Sequence, residues 1–323
     1  FDNNKYAIYL PTNVSGSGTI NFGAGNNFID GANTVKDIVW TSASDLNLTN
    51  VKFNGLLGSQ MTLDQLFAVE DRITDGLDNT AYGLARINAG NVYVTAAAGS
   101  ITNGVTKASA GDTVNVQNGS YTLAGELDIT KSLTLKGQSQ NGTIIASNST
   151  GYGINVTADN VSLQNFTFHG PTATGSTYGI KVTPDTNVAS DRLLNFDIEN
   201  VTIDRGYRTG LDLNGVDGAT IKNVSVSNIV HGNGIALTDS ANVTITGSTT
   251  TNNAWGGLAL YQTNAFYDQQ LNNIVVDGTN TFNEADGVYE EDQSASLDMG
   301  SLTLAGYGFA AIDKSVANDQ YTF

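Results

Sequence analysis

The chain has 323 residues, no cysteine and a formal net charge of −17, with 14 Lys and Arg against 31 Asp and Glu. A chain without thiols and with so few basic residues is a poor candidate for a disulfide scaffold, a zinc-thiolate site or a nucleic-acid-binding protein. Its 36 Gly against 3 Pro, at 40% hydrophobic residues, predict an all-β protein of many short strands joined by tight turns.

Residues 1–58 form the first segment of the predicted organisation. Short strand-like stretches fill this segment, and residues 1–10 make a strand with no obvious partner. Because an unpaired strand can complete the sheet of another subunit, we expect a strand donated to a neighbour together with a few early rungs of a coil. We therefore also expect the chain to start inside a larger repetitive protein.

Residues 59–99 form the second segment, a connector that contains a helix. Thr62 and Gln65 have the spacing of a capping box, in which each side chain bonds the backbone of the other residue. The spacing of the apolar residues in this stretch then predicts a helix over residues 61–77. The residues on its apolar face are Leu63, Leu66, Phe67, Ile73 and Leu77.

Two short patterns recur in the third segment, residues 100–323. Strands that return at intervals of 23 to 31 residues, as the second pattern does, pair with their own copies one turn later. The repeats therefore predict a right-handed parallel β-helix, a solenoid of roughly eight to ten rungs. The first pattern, Asn-Val-Ser/Thr-aliphatic, begins at Asn160, Asn200, Asn223 and Asn242, and the second, Gly-aliphatic-x-Val/Leu, begins at Gly153, Gly179, Gly210, Gly234 and Gly257.

The residues within each repeat have predicted orientations. Alternate strand residues, such as Val161 with Leu163 or Ile235 with Leu237, face inward, and we expect the residues between them to face water. The asparagine before each strand tolerates a left-handed turn and can stack with its copy in the next rung. We therefore expect asparagine to have a structural role here.

Four stretches carry a resemblance to known families. Residues 100–116, with Gly-Asp-Thr-Val at 111–114, and Ser-Leu-Thr-Leu-Lys-Gly at 132–137 resemble the opening of pectin-lyase-like β-helices. The resemblance implies that a short helical segment caps the coil before its first rung, and it says little about activity. Residues 66–73 and 89–95 resemble a segment of secreted bacterial surface proteins of the filamentous-haemagglutinin type.

Polar and aromatic residues recur at fixed offsets from the glycines of the second pattern. Because a β-helix places equivalent positions of successive rungs about 4.8 Å apart, we expect these residues to share one face. Aromatic planes suit sugar rings and charged groups suit their polar edges, so the face is a candidate carbohydrate groove. The candidates for catalysis are Lys181, Arg208, Asp212 and His231, and those for ligand binding are Tyr178, Trp255 and Tyr261.

Two reactions are open for this face. A polysaccharide lyase needs a base beside the uronate and a cation for its carboxylate, for which Lys181, Arg208 and His231 have the required groups. A glycoside hydrolase needs two carboxylates, for which Asp212 with Asp204 or Asp239 are candidates. No motif fixes either assignment, and the alternative is an ordinary solvated face.

An acidic cluster near the end of the repeats is a candidate calcium site. Its carboxylates, Glu284, Asp286, Glu290 and Asp292, are ligands that Ca²⁺ prefers. Their irregular spacing matches neither an EF-hand nor a calcium-binding glycine repeat, and this favours a solvated acidic surface.

Two functional hypotheses follow. The first is a structural or adhesive module of a bacterial cell-surface or extracellular fibre protein that self-assembles head to tail. The alternative is a carbohydrate-binding β-helix or a carbohydrate-active enzyme, namely a polysaccharide lyase, hydrolase or epimerase. The missing catalytic signatures favour a role without catalysis.

The composition also predicts the location and the partners. An acidic chain without cysteine fits an extracellular or cell-surface protein. No apolar stretch reaches the roughly 18 residues that a membrane span needs. We expect the partners to be a polysaccharide or further copies of the chain, and neither nucleic acid nor a membrane.

Overall fold

The computed structural model describes residues 5–10, 22, 27–29, 35–97, 99–175, 178–184, 192–262, 271–276, 279–285, 287–292, 302–304, 312–314 and 319–321. About 48% of the chain is strand and 8% is helix, and the strands form a right-handed β-solenoid of about seven turns. The predicted all-β parallel β-helix is therefore confirmed, with fewer turns than the eight to ten predicted. The turns are long, since residues stacked in adjacent turns are separated by 23 to 35 positions.

The described elements alternate between short strands and turns, with two α-helices and one 3₁₀ turn near the N-terminal end. In chain order they are β1 Ile8–Leu10, β2 Asn27–Ile29, β3 Ile38–Trp40, β4 Leu46–Asn47, β5 Val51–Phe53, β6 Leu56–Leu57, the 3₁₀ turn Gly58–Gln60, α1 Leu63–Glu70, β7 Ile73–Thr74, β8 Ala85–Arg86, β9 Asn91–Val94, α2 Ile101–Lys107, β10 Thr113–Val116, β11 Gly119–Leu123, β12 Leu127–Ile129, β13 Thr134–Gly137, β14 Thr143–Ser147, β15 Ile154–Val156, β16 Val161–His169, β17 Ile180–Val182, β18 Leu193–Gly206, β19 Leu211–Asn214, β20 Val216–Lys222, β21 Ser225–Ile229, β22 Asn233–Thr238, β23 Ala241–Thr246, β24 Thr249–Thr251, β25 Gly256–Gln262, β26 Asn272–Val276, β27 Thr281–Phe282, β28 Val288–Asp292, β29 Leu302–Leu304, β30 Ile312–Lys314 and β31 Asp319–Tyr321.

Chain contacts divide the molecule into two compact units. Unit 1 comprises residues 1–121 and 133–138, and unit 2 comprises residues 122–132 and 139–323. The predicted division at residues 58 and 99 stays a prediction.

Unit 1 is built from small sets of parallel strands. β1, β3 and β7 pair in parallel, as do β2 with β5, β4 with β8, and β9 with β10 and then β13. β1 thus has a partner in its own chain, and self-association through the N-terminal segment stays a prediction. The core is mainly aliphatic, and Phe53 and Phe67 are among its almost fully buried side chains.

The predicted helix begins as expected and ends early. The Thr62 hydroxyl accepts a hydrogen bond from the Gln65 backbone N–H, and the Gln65 side chain accepts one from the Thr62 N–H, which confirms the capping box. The helix stops at Glu70 instead of reaching residue 77. Ile73 and Thr74 instead pair in parallel with Ile38 and Val39, since their β-branched side chains suit a strand that continues the sheet.

Unit 2 contains three parallel sheets that run along the coil. The first sheet contains β12, β15, β17, β19, β22, β25, β28 and β30, in that order. The second contains β16, β18, β20, β23, β26 and β29, and the third contains β14, β16, β18, β21, β24 and β27. The long strands β16 and β18 take part in both the second and the third sheet.

The strand register stacks similar residues on top of each other. We call the residues at one position in successive turns a column. Val161, Leu163, Ile235 and Leu237 are at most 1% exposed, which confirms their inward orientation. Each column of aliphatic side chains removes apolar surface from water along the whole coil. The hydrophobic core of unit 2 is therefore this inward stack.

Asparagines close the turns between strands, as the sequence predicts. All four motif asparagines have a left-handed backbone, with φ between 52° and 55°. They also form ladders: the Asn200 side-chain amide donates to Asn165 Oδ1 at 3.1 Å, and that of Asn223 donates to Asn200 Oδ1 at 3.0 Å. Each asparagine thus supplies a left-handed turn and a bond to the next turn of the coil.

The glycines of the second pattern allow close approach between turns of the coil. A Cβ atom on Gly179 would lie 2.5 Å from the Gly210 carbonyl oxygen, and one on Gly210 would lie 2.3 Å from a methyl group of Val226. Any larger residue would push adjacent turns apart. This is why glycine returns in every turn at the start of the first sheet.

Replacing Asn200 should lower the stability of unit 2. Asn200→Ala removes two ladder hydrogen bonds. It also puts alanine, which has no side-chain hydrogen bond to offer, at a left-handed backbone position with φ 54°. Together these changes should lower the free energy of unfolding by roughly 2 kcal/mol. Asn200→Gly should cost less, because glycine accepts the left-handed backbone. Urea unfolding measures both, with the exposed Asn148→Ala as the control. Equal losses for all three variants would contradict the ladder's contribution.

Candidate functional site

An aromatic stripe lies at the edge where the strands of the first sheet begin. We use this name for Tyr152, Tyr178, Arg208 and Trp255. The Tyr152 and Tyr178 rings meet edge to face with centroids 5.7 Å apart. The Arg208 guanidinium carbon lies 5.2 Å from the Tyr178 ring centroid and 5.8 Å from that of Trp255. One cation therefore sits between two aromatic rings, in the cation–π range.

The stripe arises from the register of the repeats. Tyr152 and Tyr178 each precede the glycine of their turn by one residue, and Arg208 and Trp255 each precede it by two. The glycines align in the parallel pairs of β15, β17, β19, β22 and β25, so these positions fall in neighbouring columns. Between the turns of Arg208 and Trp255 the column holds Gly232, where a Cβ atom would lie 2.3 Å from the Thr209 backbone nitrogen.

The stripe is open to solvent at one end. Trp255 is 47% exposed, the largest exposed ring described in unit 2. A pocket of about 190 Å³ lies beside it, lined by residues 252–256 and 283–285. Arg208 takes part in none of the ion pairs among the described residues. The guanidinium edge is therefore available to a ligand.

Lys181 and Asp212 form a buried ion pair beside the stripe. They are in register on β17 and β19, and are only 5% and 4% exposed. The Lys181 ammonium also lies 4.9 Å from the Tyr178 ring centroid. The ammonium is therefore engaged by both a carboxylate and an aromatic ring. The pair is thus arranged to hold the Tyr178 ring in place.

The outward-facing residues of β22 and β25, in the first sheet, are buried rather than solvated. Ala236 and Ala259 are at most 2% exposed and pack against Tyr261. The Asn233 side chain donates a hydrogen bond of 2.9 Å to the Tyr261 hydroxyl. The expectation that residues between the inward positions face water is therefore wrong here, because aromatic side chains fold back over the strands.

The remaining predicted candidates have different surroundings. His231 is exposed, and its ring lies 4.8 Å from that of Tyr207 at the same edge as the stripe. Asp239 is fully buried. Asp204 lies 3.1 Å from His169 Nδ1, one turn away in the third sheet, so it does not meet Asp212. The catalytic assignments of these residues stay predictions.

The sequence reading missed the beginning of the stripe. Tyr152 precedes Gly153 just as Tyr178 precedes Gly179, and this shared offset could have identified it. Beside it, Glu126 Oε2 accepts a hydrogen bond of 2.9 Å from the Tyr152 backbone N–H. Burial, and then the neighbouring Asp128 carboxylate, raises the pKa of Glu126. Burial also raises the pKa of Tyr178 to about 12, so its hydroxyl stays neutral.

The candidate calcium site is only partly within the described residues. Glu284 accepts hydrogen bonds from the Thr250 hydroxyl at 2.6 Å and the Asn253 side chain at 2.7 Å. Asp286 and the side chains of Glu290 and Asp292 lie outside the described residues. Among the residues that the structure describes, no group of three or more His, Cys, Asp or Glu is arranged to hold a metal ion.

Unit 1 contains a separate pair of buried acids. Glu70 is 3% exposed and its Oε1 has no hydrogen-bond partner, while Asp75 is 1% exposed and accepts from the backbone N–H groups of Leu77 and Ala85. Burial raises the pKa of Asp75 to about 6 and raises that of Glu70 well above its ordinary value. These carboxyls are far more readily protonated than exposed ones.

No described helix is long and apolar enough to cross a membrane. The family model described as a right-handed beta helix region matches residues 186–297, about a third of the chain. No curated protein sequence matches the chain. The resemblance to filamentous-haemagglutinin-type proteins has no support from these comparisons.

Two solved structures show a weak similarity to the chain. A pectin methylesterase variant in complex with a hexasaccharide is 14% identical, with 69% of this chain and 80% of that chain covered and a TM-score of 0.41. A second pectin methylesterase complex with a hexasaccharide is 13% identical over the same shares, with a TM-score of 0.29. Likeness this low carries no argument about activity.

Breaking the Lys181–Asp212 pair should destabilise unit 2 strongly. Lys181→Met leaves a buried carboxylate without its cation, at a cost of roughly 3–5 kcal/mol in free energy of unfolding. The double variant Lys181→Met with Asp212→Leu should recover most of that loss. Denaturant unfolding checks this against Lys222→Met, whose exposed pair with Glu199 should contribute no more than about 1 kcal/mol. A double variant as unstable as the single one would contradict the pairing argument.

Unit 1 should become more stable as the pH falls from 7 to 4. The folded state holds the Asp75 proton up to about pH 6, whereas the ordinary value is 3.8, so the free energy of unfolding decreases as pH rises through this window. Hydrogen exchange of the core amides of unit 1 measures it. Asp75→Asn should flatten the pH dependence and the exposed Asp64→Asn should not. An unchanged slope in Asp75→Asn would contradict the assignment.

Proposed function

We propose that this protein is an extracellular, adhesive β-helix module that binds a polysaccharide along the aromatic stripe. The observation that carries the proposal is the Arg208 guanidinium held between the Tyr178 and Trp255 rings. The rings offer flat apolar planes to the C–H faces of sugars, and the guanidinium offers several N–H donors to their oxygens.

The length of the stripe favours a chain of sugars over a single sugar. Tyr152 and Trp255 lie just before β15 and β25, which are four strand spacings apart in the first sheet. At about 4.8 Å per spacing, the stripe extends over roughly 19 Å. A site that is open and extended rather than enclosed suits a polymer that lies along the surface.

The surrounding carboxylates and amines favour binding over catalysis. Lys181 and Asp212 neutralise each other, and Asp204 is engaged by His169. A lyase needs a base that can accept a proton, and a hydrolase needs two carboxyls on opposite sides of one bond. The groups of these two pairs meet neither condition, which favours an adhesive role over the enzymatic alternative. His231, exposed at the same edge as the stripe, stays the candidate base for that alternative.

A binding assay with a panel of neutral and uronate-containing polysaccharides tests the proposal. Trp255→Ala and Tyr178→Ala should each weaken binding at least about tenfold, which corresponds to about 1.4 kcal/mol, because each removes one aromatic plane. Arg208→Ala should weaken it further than Arg208→Lys, since lysine keeps the charge but loses the planar fork.

An exposed residue of the same unit, on β18 outside the stripe, is the matched control. Leu194→Ala removes a side chain that is 43% exposed, and it should bind like the wild type. Wild-type protein that binds no polysaccharide in the panel would overturn the proposal. Release of shortened or unsaturated sugars during the assay would instead assign an enzyme to the same face.

A further inference from the structure

Among the residues that the structure describes, Arg192 is a buried cation whose guanidinium makes no hydrogen bond. It directly precedes β18 in unit 2 and is 8% exposed. Its Nε, Nη1 and Nη2 atoms are all buried and none makes a hydrogen bond. Buried polar atoms in folded proteins are nearly always paired, and a buried charge without a partner is costly. A guanidinium whose three nitrogens donate no hydrogen bond can therefore bind an acceptor.

The surroundings of Arg192 include further unpaired polar atoms. The backbone N–H of Leu193 donates to the Gly215 carbonyl at 3.1 Å, so Arg192 lies at the turn between β19 and β20. Asn214 Oδ1, at the end of β19, is buried without a hydrogen-bond partner. Thr157 Oγ1, two strands away at the same edge of the first sheet, is also unpaired. Three unsatisfied side chains thus mark one edge.

The charges around Arg192 restrict the kind of acceptor. Asp217 and Asp239 act on the guanidinium electrostatically, but neither hydrogen-bonds to it. Burial lowers the pKa of Arg192 and these two carboxylates raise it. Because two negative charges are already close, a dianion such as phosphate would be repelled more strongly than a monoanion.

We propose that Arg192 binds the carboxylate of a small ligand or ligand segment at this turn. A carboxylate matches the planar fork of arginine with two parallel N–H···O bonds and carries a single charge. Asn214 Oδ1 supplies an acceptor for a hydroxyl of the same ligand. The class of ligand is therefore a hydroxycarboxylate.

This site is separate from the aromatic stripe. Tyr178 precedes β17 and Thr183 follows it, so the stripe and the Arg192 turn lie at opposite ends of the strands of the first sheet. The proposal does not depend on polysaccharide binding at the stripe. A negative result for one site therefore does not bear on the other.

Thermal unfolding in acetate, glycolate, phosphate or chloride at equal ionic strength tests the proposal on the whole chain. Acetate and glycolate should raise the unfolding temperature of the wild type above its value in chloride, because a ligand that binds only the folded state stabilises it. Glycolate should act at lower concentration than acetate, and Asn214→Ala should remove that difference. Phosphate stabilises folded proteins by being excluded from their surface, so it should raise the unfolding temperatures of the wild type and of Arg192→Met by the same amount.

Arg192→Met keeps the apolar stem and removes the charge, so it should lose the carboxylate effect. Arg205→Met is the matched control, since the Arg205 side chain is 51% exposed in the same unit, and it should respond like the wild type. In chloride, Arg192→Met should be at least as stable as the wild type, because the unpaired buried charge is gone.

Three outcomes would overturn the proposal. The first is that acetate and glycolate do not raise the unfolding temperature of the wild type, and the second is that they raise that of Arg192→Met equally. The third is that phosphate gives a rise that depends on Arg192 and is as large as the rise in acetate. If Arg192→Met does not fold, nitrogen-15 NMR of the wild type replaces it. The Arg192 Nε resonance should shift on addition of acetate and stay unchanged in chloride, and an unchanged resonance in acetate would also overturn the site.

Discussion

The pairing of each strand with its own copy one turn later is the constraint on which unit 2 depends. Parallel strands leave every backbone N–H and C=O to be satisfied by the turn before and the turn after, so no strand of the coil is stable alone. This requirement fixes the register, and the register in turn fixes which side chains meet. Inward aliphatic residues then form one continuous core, while the turns have to repeat the same geometry each time.

The same register creates the surface features. Residues that share an offset from the repeated glycine lie one strand spacing apart in successive turns. Side chains that are about a hundred residues apart in the sequence therefore line up as the aromatic stripe. Tyr178 illustrates how such a position is held: one ring contacts Tyr152, the Lys181 ammonium and the Arg208 guanidinium. The buried Lys181–Asp212 pair therefore supports a surface feature more than it offers reactive groups.

Buried ionisable groups behave differently in the two units. In unit 1, the raised pKa values of Glu70 and Asp75 mean that these carboxyls can become neutral by taking up protons, which removes the cost of burying a charge. Arg192 in unit 2 has no such route, because guanidinium keeps its charge at any ordinary pH. In our proposal, a carboxylate ligand supplies the hydrogen-bond acceptors that this guanidinium needs.

The parallel β-helix, the inward aliphatic columns, the asparagine turns and the capping box at Thr62 could be predicted from the sequence. Each of these features follows from local backbone preference or from the repeat period, and both can be recognised in a single chain. Tertiary packing set the end of the helix at Glu70, the mutual burial of Lys181 and Asp212, and the burial of the Arg192 guanidinium without a hydrogen bond among the described residues. These depend on which turns lie next to each other and on how far side chains fold back over the sheet, and neither is encoded in the spacing of a repeat.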